Sequence, residues 1–335
     1  MLILCALAVT VIAQKRLSID EFLAEPIPEF ARKLTGQALV DYVNKRQPYF
    51  KAKYSPNAEA FATSRLMDMK YTVTPKMEDV QNVDLDVELP ESFDARQHWP
   101  ECTSIRYIRD QSACGSCWAV SSAGAMSDRV CVQSNSTMKV HISDTDLLSC
   151  CGSTCGYGSL CTRCRGGFPF EAFLYMEREG VCTGGRYREK NVCLPYPLYP
   201  CGHHANQTYY GPCPEKRWDT PVCRKTCRRK YPKSYEEDKI FGYRPYYMPR
   251  DEKLIRQEIM KNGPVAAVFI HTAGEEKGLH GVRVIGWGTE NGTDYWLVAN
   301  TWNTDWGEDG GYFRILRGKD HCHIEREMLG SKIKF

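Results

Sequence analysis

No apolar run in the sequence reaches the ~20 residues that a membrane-spanning helix needs. The longest, Leu2 to Ala13, has twelve residues and fits the core of a signal peptide, with Val11 and Ala13 as the small residues a signal peptidase prefers. Residues 1–13 are therefore expected to be a removable signal, even though no Lys or Arg precedes the run. Charge of one sign is scarce too, since 44 Lys and Arg face 41 Asp and Glu for a net charge of +3. So small an excess gives no electrostatic case for nucleic acid. One local cluster, Arg224, Lys225, Arg228, Arg229 and Lys230, is basic and reads as a solvated loop between cysteines. Internal repeats and low-complexity tracts are missing, which excludes an array of small units. With 42% hydrophobic and 25% charged residues and a mean hydropathy of −0.46, the composition is that of an ordinary globular protein. At ~150 residues per domain, 335 residues suggest about two domains, or one large domain and a removable segment.

Cysteine is absent from Gln14 to Val87, whereas fifteen of the seventeen cysteines fall between Cys102 and Cys227. That density is too high for a reduced cytosolic enzyme and points to an oxidising compartment. The glycosylation sequons at Asn135, Asn206 and Asn291 agree with it, so the chain is expected to be secreted or lysosomal. The composition changes sharply around Leu89-Pro90-Glu91, which marks a candidate processing boundary and a propeptide over residues 14–88. Within that stretch Phe22, Leu23 and Ile27, then Leu34, Leu39, Val43 and Phe50, are spaced as on helices with polar residues between. A charged helical prosegment would read this way, and so would a small helical domain that stays attached.

Beyond the boundary, the cysteine-rich middle is dense in Gly, Pro and Tyr and predicts loops stapled by disulfides. One helix is clear from Cys117 through Val120, Ala123, Met126 and Val130, and a second follows Pro249 with Asp251 as its N-cap. Runs at Val265–Ile270, Val282–Trp287, Tyr295–Ala299 and Tyr312–Leu316 predict an antiparallel sheet or small barrel. The outline is α+β, with a helical half before a β half and a cleft between them.

The segment Gln111-Ser-Ala-Cys-Gly-Ser-Cys-Trp118 places the Cys117 thiol at a helix start, where free N–H groups and the helix dipole favour a thiolate. Such a nucleophile needs an imidazole partner that can later protonate the leaving amine. Gln111 can offer its side-chain N–H to a developing oxyanion. Two other readings of the C-x-x-C pairs compete. Cys114-x-x-Cys117 as a redox site would need a preceding strand in a thioredoxin-type sequence, and Cys161-x-x-Cys164 as a zinc half-site lacks a matching second ligand pair.

The C-G-S-C-W run after a glutamine resembles the active-site signature of papain-like cysteine proteases. Leu89-Pro-Glu-Ser-Phe-Asp-Ala-Arg96, Cys150-Cys151-Gly, Gly166-Gly167, Asn262-Gly-Pro-Val265 and Trp287-Gly288 resemble, in order, the cathepsin B branch over Leu89 to Gly330. The resemblance implies a papain-like two-domain fold: a helical left domain, an antiparallel β-barrel-like right domain and the active-site cleft between, preceded by a helical propeptide. It implies a peptidase domain over 89–335 with an occluding loop around 193–227. His280 would then be the base and Asn300 its orienting partner, with Trp302 shielding their hydrogen bond and Gly166 and Gly167 lying along the substrate backbone. The pairings Cys102–Cys131, Cys114–Cys164, Cys150–Cys223, Cys151–Cys155, Cys193–Cys227 and Cys201–Cys213 are implied likewise. Cys161 and Cys182, extra to the vertebrate pattern, are left to pair with each other.

In the same branch the histidines matching His203 and His204 hold a substrate's C-terminal carboxylate, which implies release of C-terminal dipeptides alongside internal cleavage. An Asp110–His203 ion pair is expected to pin the loop at acid pH, with Tyr209 in place of an arginine that makes a second bridge in the family. Glu327 matches the acid at the base of the second specificity pocket, which would accept Arg as well as bulky apolar side chains. Tyr295 to Glu308 resembles the haemoglobinase motif of gut cathepsin B-like proteases in blood-feeding worms, with Thr301 replacing its serine. Polypeptide substrates, cystatin-type inhibitors and the chain's own propeptide are the expected partners. No cofactor, metal, nucleic acid or membrane span is expected.

One interval departs from the family pattern. The connection from Val265 to His280 is shorter by roughly a dozen residues or more, enough for a strand and a turn. A shortened right domain that displaces the imidazole would give a catalytically silent variant instead of an active protease. His271 is the rival base, but it lacks the Val-Arg-Val-Ile-Gly-Trp strand that follows His280.

Overall fold

The computed structural model describes residues 18–157 and 160–335, so the expected signal peptide lies outside the described residues. The chain forms two compact units. In the first, residues 18–56 are joined by residues 272–275. Ser18 and Glu21 cap helix α1 (Ile19–Ala24) reciprocally: the Ser18 hydroxyl accepts the Glu21 N–H at 3.2 Å and the Glu21 carboxylate accepts the Ser18 N–H at 2.8 Å. Helix α2 (Gly36–Arg46) follows, and the N–H groups of Gly274 and Glu275 donate to the carbonyls of Ala31 (2.9 Å) and Leu34 (3.2 Å).

The second unit begins with helix α3 (Ala58–Thr63) and an extended stretch leading to strand β1 (Phe93–Asp94). Helices α4 (Ala95–His98), α5 (Thr103–Arg106), α6 (Cys117–Gln133), α7 (Asp144–Cys150) and α8 (Pro169–Arg178) follow. Helix α6 is buried on every side from Cys117 to Cys131, because Ala, Ser and Gly at 119, 121–125 and 127 let neighbours approach from all directions. Two buried charges on it are paired outward, Asp128 with Arg283 and Arg129 with Glu258, which ties the helix to the sheet and to the later helix that carries Glu258.

Strand β2 (Phe241–Tyr247) precedes helix α9 (Glu252–Asn262), which Asp251 caps by accepting the N–H groups of Lys253 (2.8 Å) and Leu254 (3.2 Å). Strands β3 (Val265–Phe269), β4 (His280–Glu290), β5 (Thr293–Ala299), β6 (Tyr312–Leu316) and β7 (Leu329–Lys334) complete an antiparallel sheet in the order β2-β7-β3-β4-β5-β6, with β1 also on β4. The expected barrel-like closure is not formed. The sheet stays open from β2 to β6, and the short connection 270–279 carries no strand that could bridge the edges. Instead, β3 and β4 pair directly, with Phe269 opposite His280.

One hydrophobic core joins α6, α7 and α8 around Trp118, Leu147 and Phe173; the other covers the sheet around Ile255, Val284 and Trp296. The six implied disulfides are present. The seventh is not: Cys182 keeps a buried free thiol, while the side chain of Cys161 lies outside the description. The Cys182 sulfur lies within 4.8 Å of Cys193, whose own sulfur is already bonded to Cys227. No helix among the described residues is long and apolar enough to cross a membrane.

Candidate active site

Cys117 is the first residue of α6, reached through a turn that the Cys114–Cys164 bridge holds, with the Gly115 N–H donating to the Cys164 carbonyl at 2.7 Å. His280 begins β4. The next residue must be glycine, because a Cβ at Gly281 would stand 2.9 Å from the Cys117 carbonyl oxygen. This contact is how the sheet brings the imidazole to the helix start. The His280 Nε2 bonds the Asn300 Oδ1 at 2.7 Å, and its Nδ1 is buried and without a hydrogen-bond partner.

Trp302 lies over this pair, its ring 4.5 Å from the imidazole, with its indole N–H donating to the Gln111 Oε1 at 3.0 Å. A backbone bridge between Asp110 and Trp302 and the bond from the Gln111 N–H to the Thr301 carbonyl (3.0 Å) fix the loop before α6 to the end of β5. Gln111, His280 and Asn300 are thereby placed by a single hydrogen-bonded layer. His271, the rival base, ends the run after β3, and Asn300 pairs with His280 instead.

The cleft is covered by residues 61–73. Phe61 meets Trp302 edge-on at 5.5 Å, and the Arg65 carbonyl accepts the Gln111 Nε2–H at 2.7 Å. Met67 pairs with Leu279 through two backbone hydrogen bonds of 2.8 and 2.9 Å. A Cβ at Gly166 would fall 2.5 Å from the Tyr71 ring and 3.0 Å from Met67, whereas Gly167 packs on Trp118. The Val73 N–H donates to Glu327 Oε1 at 3.2 Å. Under this cover, burial pushes the Cys117 thiol up to about 12, against the opposing pull of the Gly281 and Trp118 N–H groups, and holds the His280 imidazole down at about 4. Desolvation therefore outweighs the helix-start effect anticipated for Cys117, and burial favours the neutral form of both groups. Burial likewise raises Glu327 to about 7.

The loop closed by Cys201–Cys213 departs from expectation at one residue. It is His204, not His203, that reaches Asp110: its Nε2 is 3.5 Å from Asp110 Oδ2 and its Nδ1 2.8 Å from Asp305 Oδ1. His203 is turned away and stacks on Tyr209 at 4.2 Å, which takes it out of reach of the carboxylate. Asp110 is further held by the Ser112 N–H (2.6 Å) and the Asn303 amide (2.8 Å).

Three contacts escaped the sequence reading. The buried Arg65 lies with its guanidinium 3.6 Å from both sulfurs of the Cys201–Cys213 bridge and stacks on Phe61. Arg217 pairs with Asp68 at 3.3 Å and also binds the Thr63 carbonyl. Trp218 donates to Ser112 Oγ at 3.1 Å. The sequence carries no signal for the first two, because a lone Arg among many cations marks nothing until the loop and the covering segment are brought together.

Cys182, Cys193 and Asp238 are the one group of metal-ligand type among the described residues, and the Cys193–Cys227 bond leaves them no second thiolate. Asn135, Asn206 and Asn291 are exposed.

Residues 89–331 match the family described as papain family cysteine protease. The chain is 44% identical over 321 residues to cathepsin B-like cysteine proteinase 1 of Haemonchus contortus, covering 91% of each chain. It is 42% identical to cathepsin B-like cysteine proteinase 6 of Caenorhabditis elegans, covering 93% of this chain and 87% of that one. Among solved structures it resembles the procathepsin B S9 of Trypanosoma congolense, with a TM-score of 0.70 and 35% identity over 90% of this chain and 98% of the other. The fold, the placement of a cysteine at a buried helix start beside a histidine–asparagine pair, and these likenesses together identify the chain as a papain-family cysteine protease of the cathepsin B-like type, with the papain-like fold of that family.

Proposed function

We propose that Cys117 is the nucleophile, His280 the general base and acid, Asn300 its orienting partner and Gln111 an oxyanion donor. The observation that carries this reading is the 2.7 Å bond between His280 Nε2 and Asn300 Oδ1, which leaves Nδ1 for the thiol. In the uncovered cleft water restores the charged pair. The Cys117 sulfur attacks the scissile carbonyl carbon, the Gln111 amide stabilises the oxyanion, and His280 protonates the leaving amine. Water, deprotonated by His280, then releases the acyl group. The direct β3–β4 pairing, with Phe269 opposite His280, supports the active-enzyme reading over a silent variant despite the short connection.

Residues 14–88 act as the propeptide, with cleavage near Leu89, where residues 88, 90, 91 and 92 are exposed. Phe61 at Trp302 and Val73 at Glu327 fix the direction of the covering chain. It runs opposite to a substrate, whose residue at Glu327 precedes the scissile bond, so it blocks the cleft without being cut. The disulfide-closed loop bearing His204 closes the far end of the cleft and favours release of C-terminal dipeptides alongside internal cleavage. Glu327 selects Arg in the second pocket by a bidentate pair. Haemoglobin is the proposed protein substrate, cystatin-type proteins the proposed inhibitors, and the secretory or lysosomal pathway the proposed location, in keeping with six disulfides.

The test is hydrolysis, by the processed protein at acid pH, of a fluorogenic peptide with Arg at its second position, against a Cys117→Ala control. Turnover lost in the control is the expected result. A folded protein with no turnover would favour the silent variant.

A further inference from the structure

Cys182 is a buried free thiol that the catalytic centre does not use. It stands beside a bridge: its sulfur lies within 4.8 Å of the Cys193 sulfur, which is bonded to Cys227. The backbone holds the three cysteines together. The Leu194 N–H donates to the Thr183 carbonyl (2.9 Å) and the Cys193 N–H to the Thr183 hydroxyl (3.0 Å), so residues 182–183 and 193–194 run side by side. The Arg228 N–H donates in turn to the Cys193 carbonyl (2.9 Å). Chains hydrogen-bonded in this way have Cα separations of roughly 4.5–5.5 Å, within the roughly 4.4–6.8 Å that a disulfide spans. Cys193 is therefore open to bonding from either neighbour without a segment being carried across the fold.

The surroundings of Cys182 supply a route for its proton. Asp146 of α7 accepts the Cys182 N–H (3.1 Å) and the Tyr235 hydroxyl (2.7 Å), and it is hydrogen-bonded to the thiol as well. Asp238, whose carboxylate is within 4.8 Å of the same sulfur, is held by Thr183 (2.6 Å), Tyr231 (2.6 Å) and Lys233 (3.8 Å). Tyr175 of α8 is near too, and Lys239 acts on Asp146. Burial and the two carboxylates push the Cys182 thiol up, with Ser143 pulling against them, so it stays protonated and inert at acid pH. Cys227 differs. It is half-buried, with Arg224, Lys225, Arg228, Arg229 and Lys230 flanking it in sequence, and cations favour a departing thiolate. Exchange between the two sulfurs would move negative charge from a site that disfavours it to one that favours it.

We propose that Cys182 is a second nucleophilic cysteine, which exchanges with the Cys193–Cys227 bridge. The Cys182 sulfur attacks the Cys193 sulfur as its proton passes to Asp146, which releases it to water. The Cys193–Cys227 bond breaks with its electron pair on Cys227, which takes up a proton from water. One thiol and one disulfide become another thiol and another disulfide, so no oxidant or reductant is consumed. The outer closure of the 193–227 segment moves to residue 182, while Cys150–Cys223 and Cys201–Cys213 stay in place.

The Cys117→Ala chain keeps Cys182 and Cys322 as free thiols among the described residues. It is held at about pH 5 or at about pH 8.5, the latter near the unperturbed thiol pKa, then trapped with a maleimide in acid. Peptic digestion without reduction and mass spectrometry map the bridges. At the higher pH a Cys182–Cys193 peptide pair is expected, with maleimide on Cys227 at least about tenfold above the acid sample, because the attacking species is a thiolate. In Cys182→Ser the label on Cys227 should stay at the level of the acid sample. The proposal is overturned if Cys193–Cys227 persists in the parent at both pH values, if Cys182 is found bonded to Cys161, or if Cys227 is labelled as much in Cys182→Ser as in the parent. The first two outcomes are read on the parent alone, so they decide the matter whether or not the variant folds.

Discussion

At the residue scale the chemistry rests on hydrogen bonds that leave few alternatives. Asn300 gives its carbonyl oxygen to both His280 Nε2 and the Thr301 N–H, each at 2.7 Å, so its replacement frees the imidazole to rotate. Asn300→Ala is expected to lower kcat/KM about a hundredfold with little change in KM, the order expected when a catalytic group is misplaced by about 1 Å. Glu327 makes a pH-dependent prediction. Its carboxyl is raised from 4.5 to about 7 by burial under Val73, so covering is strongest when it is protonated, below pH 4.5, and weakens as pH rises through about 7. Glu327→Gln should flatten the decline in affinity of an added propeptide for the processed enzyme between those pH values; an unchanged slope would place the effect elsewhere. At the loop, His204→Ala rather than His203→Ala should lower dipeptide release relative to internal cleavage, measured on free and C-terminally blocked peptides, because His204 is the one against Asp110 and Asp305.

At the scale of elements, α6 and the β3–β4 pair carry the site. Asp128 on α6 is fully buried and its partner Arg283 on β4 nearly so. Asp128→Ala strands a buried guanidinium and should cost about 3–5 kcal/mol, read as a fall in the unfolding midpoint of the processed enzyme. The start of α6, the cap at Asp251 and four of the strands were legible because capping, spacing and alternation are local signals. Strands β2 and β7 were not, since Phe241–Tyr247 and Leu329–Lys334 alternate weakly and are strands because each pairs with the other across a separation no pattern encodes. The identity of the histidine that faces Asp110 was also out of reach. His203 and His204 are chemically equal in sequence, and only the loop's path, with Tyr209 stacking on the first, separates them.

For the whole molecule, latency is a property of the covered cleft. Residues 61–73 desolvate Cys117 and His280 together, so alkylation of Cys117 by a small thiol reagent at acid pH should be at least about tenfold slower in the full chain than in the processed enzyme. Arg217 holds both Asp68 and the Thr63 carbonyl from the loop side. Because that ion pair is partly solvated, Arg217→Ala should speed conversion to the processed form only about two- to fivefold. The amino-acid sequence by itself determined the family and, through the resemblance its motifs carry, the expected catalytic residues and the six disulfides, because a cysteine at a helix start, a glutamine before it and a family-like order of motifs are written in short stretches. Only the tertiary structure decided that β3 and β4 pair directly with Phe269 opposite His280, that the sheet stays open, that Cys182 remains a thiol, and that His204 rather than His203 faces Asp110. Each of these depends on which distant segments come within a few ångströms, and it is three-dimensional packing that sets such distances.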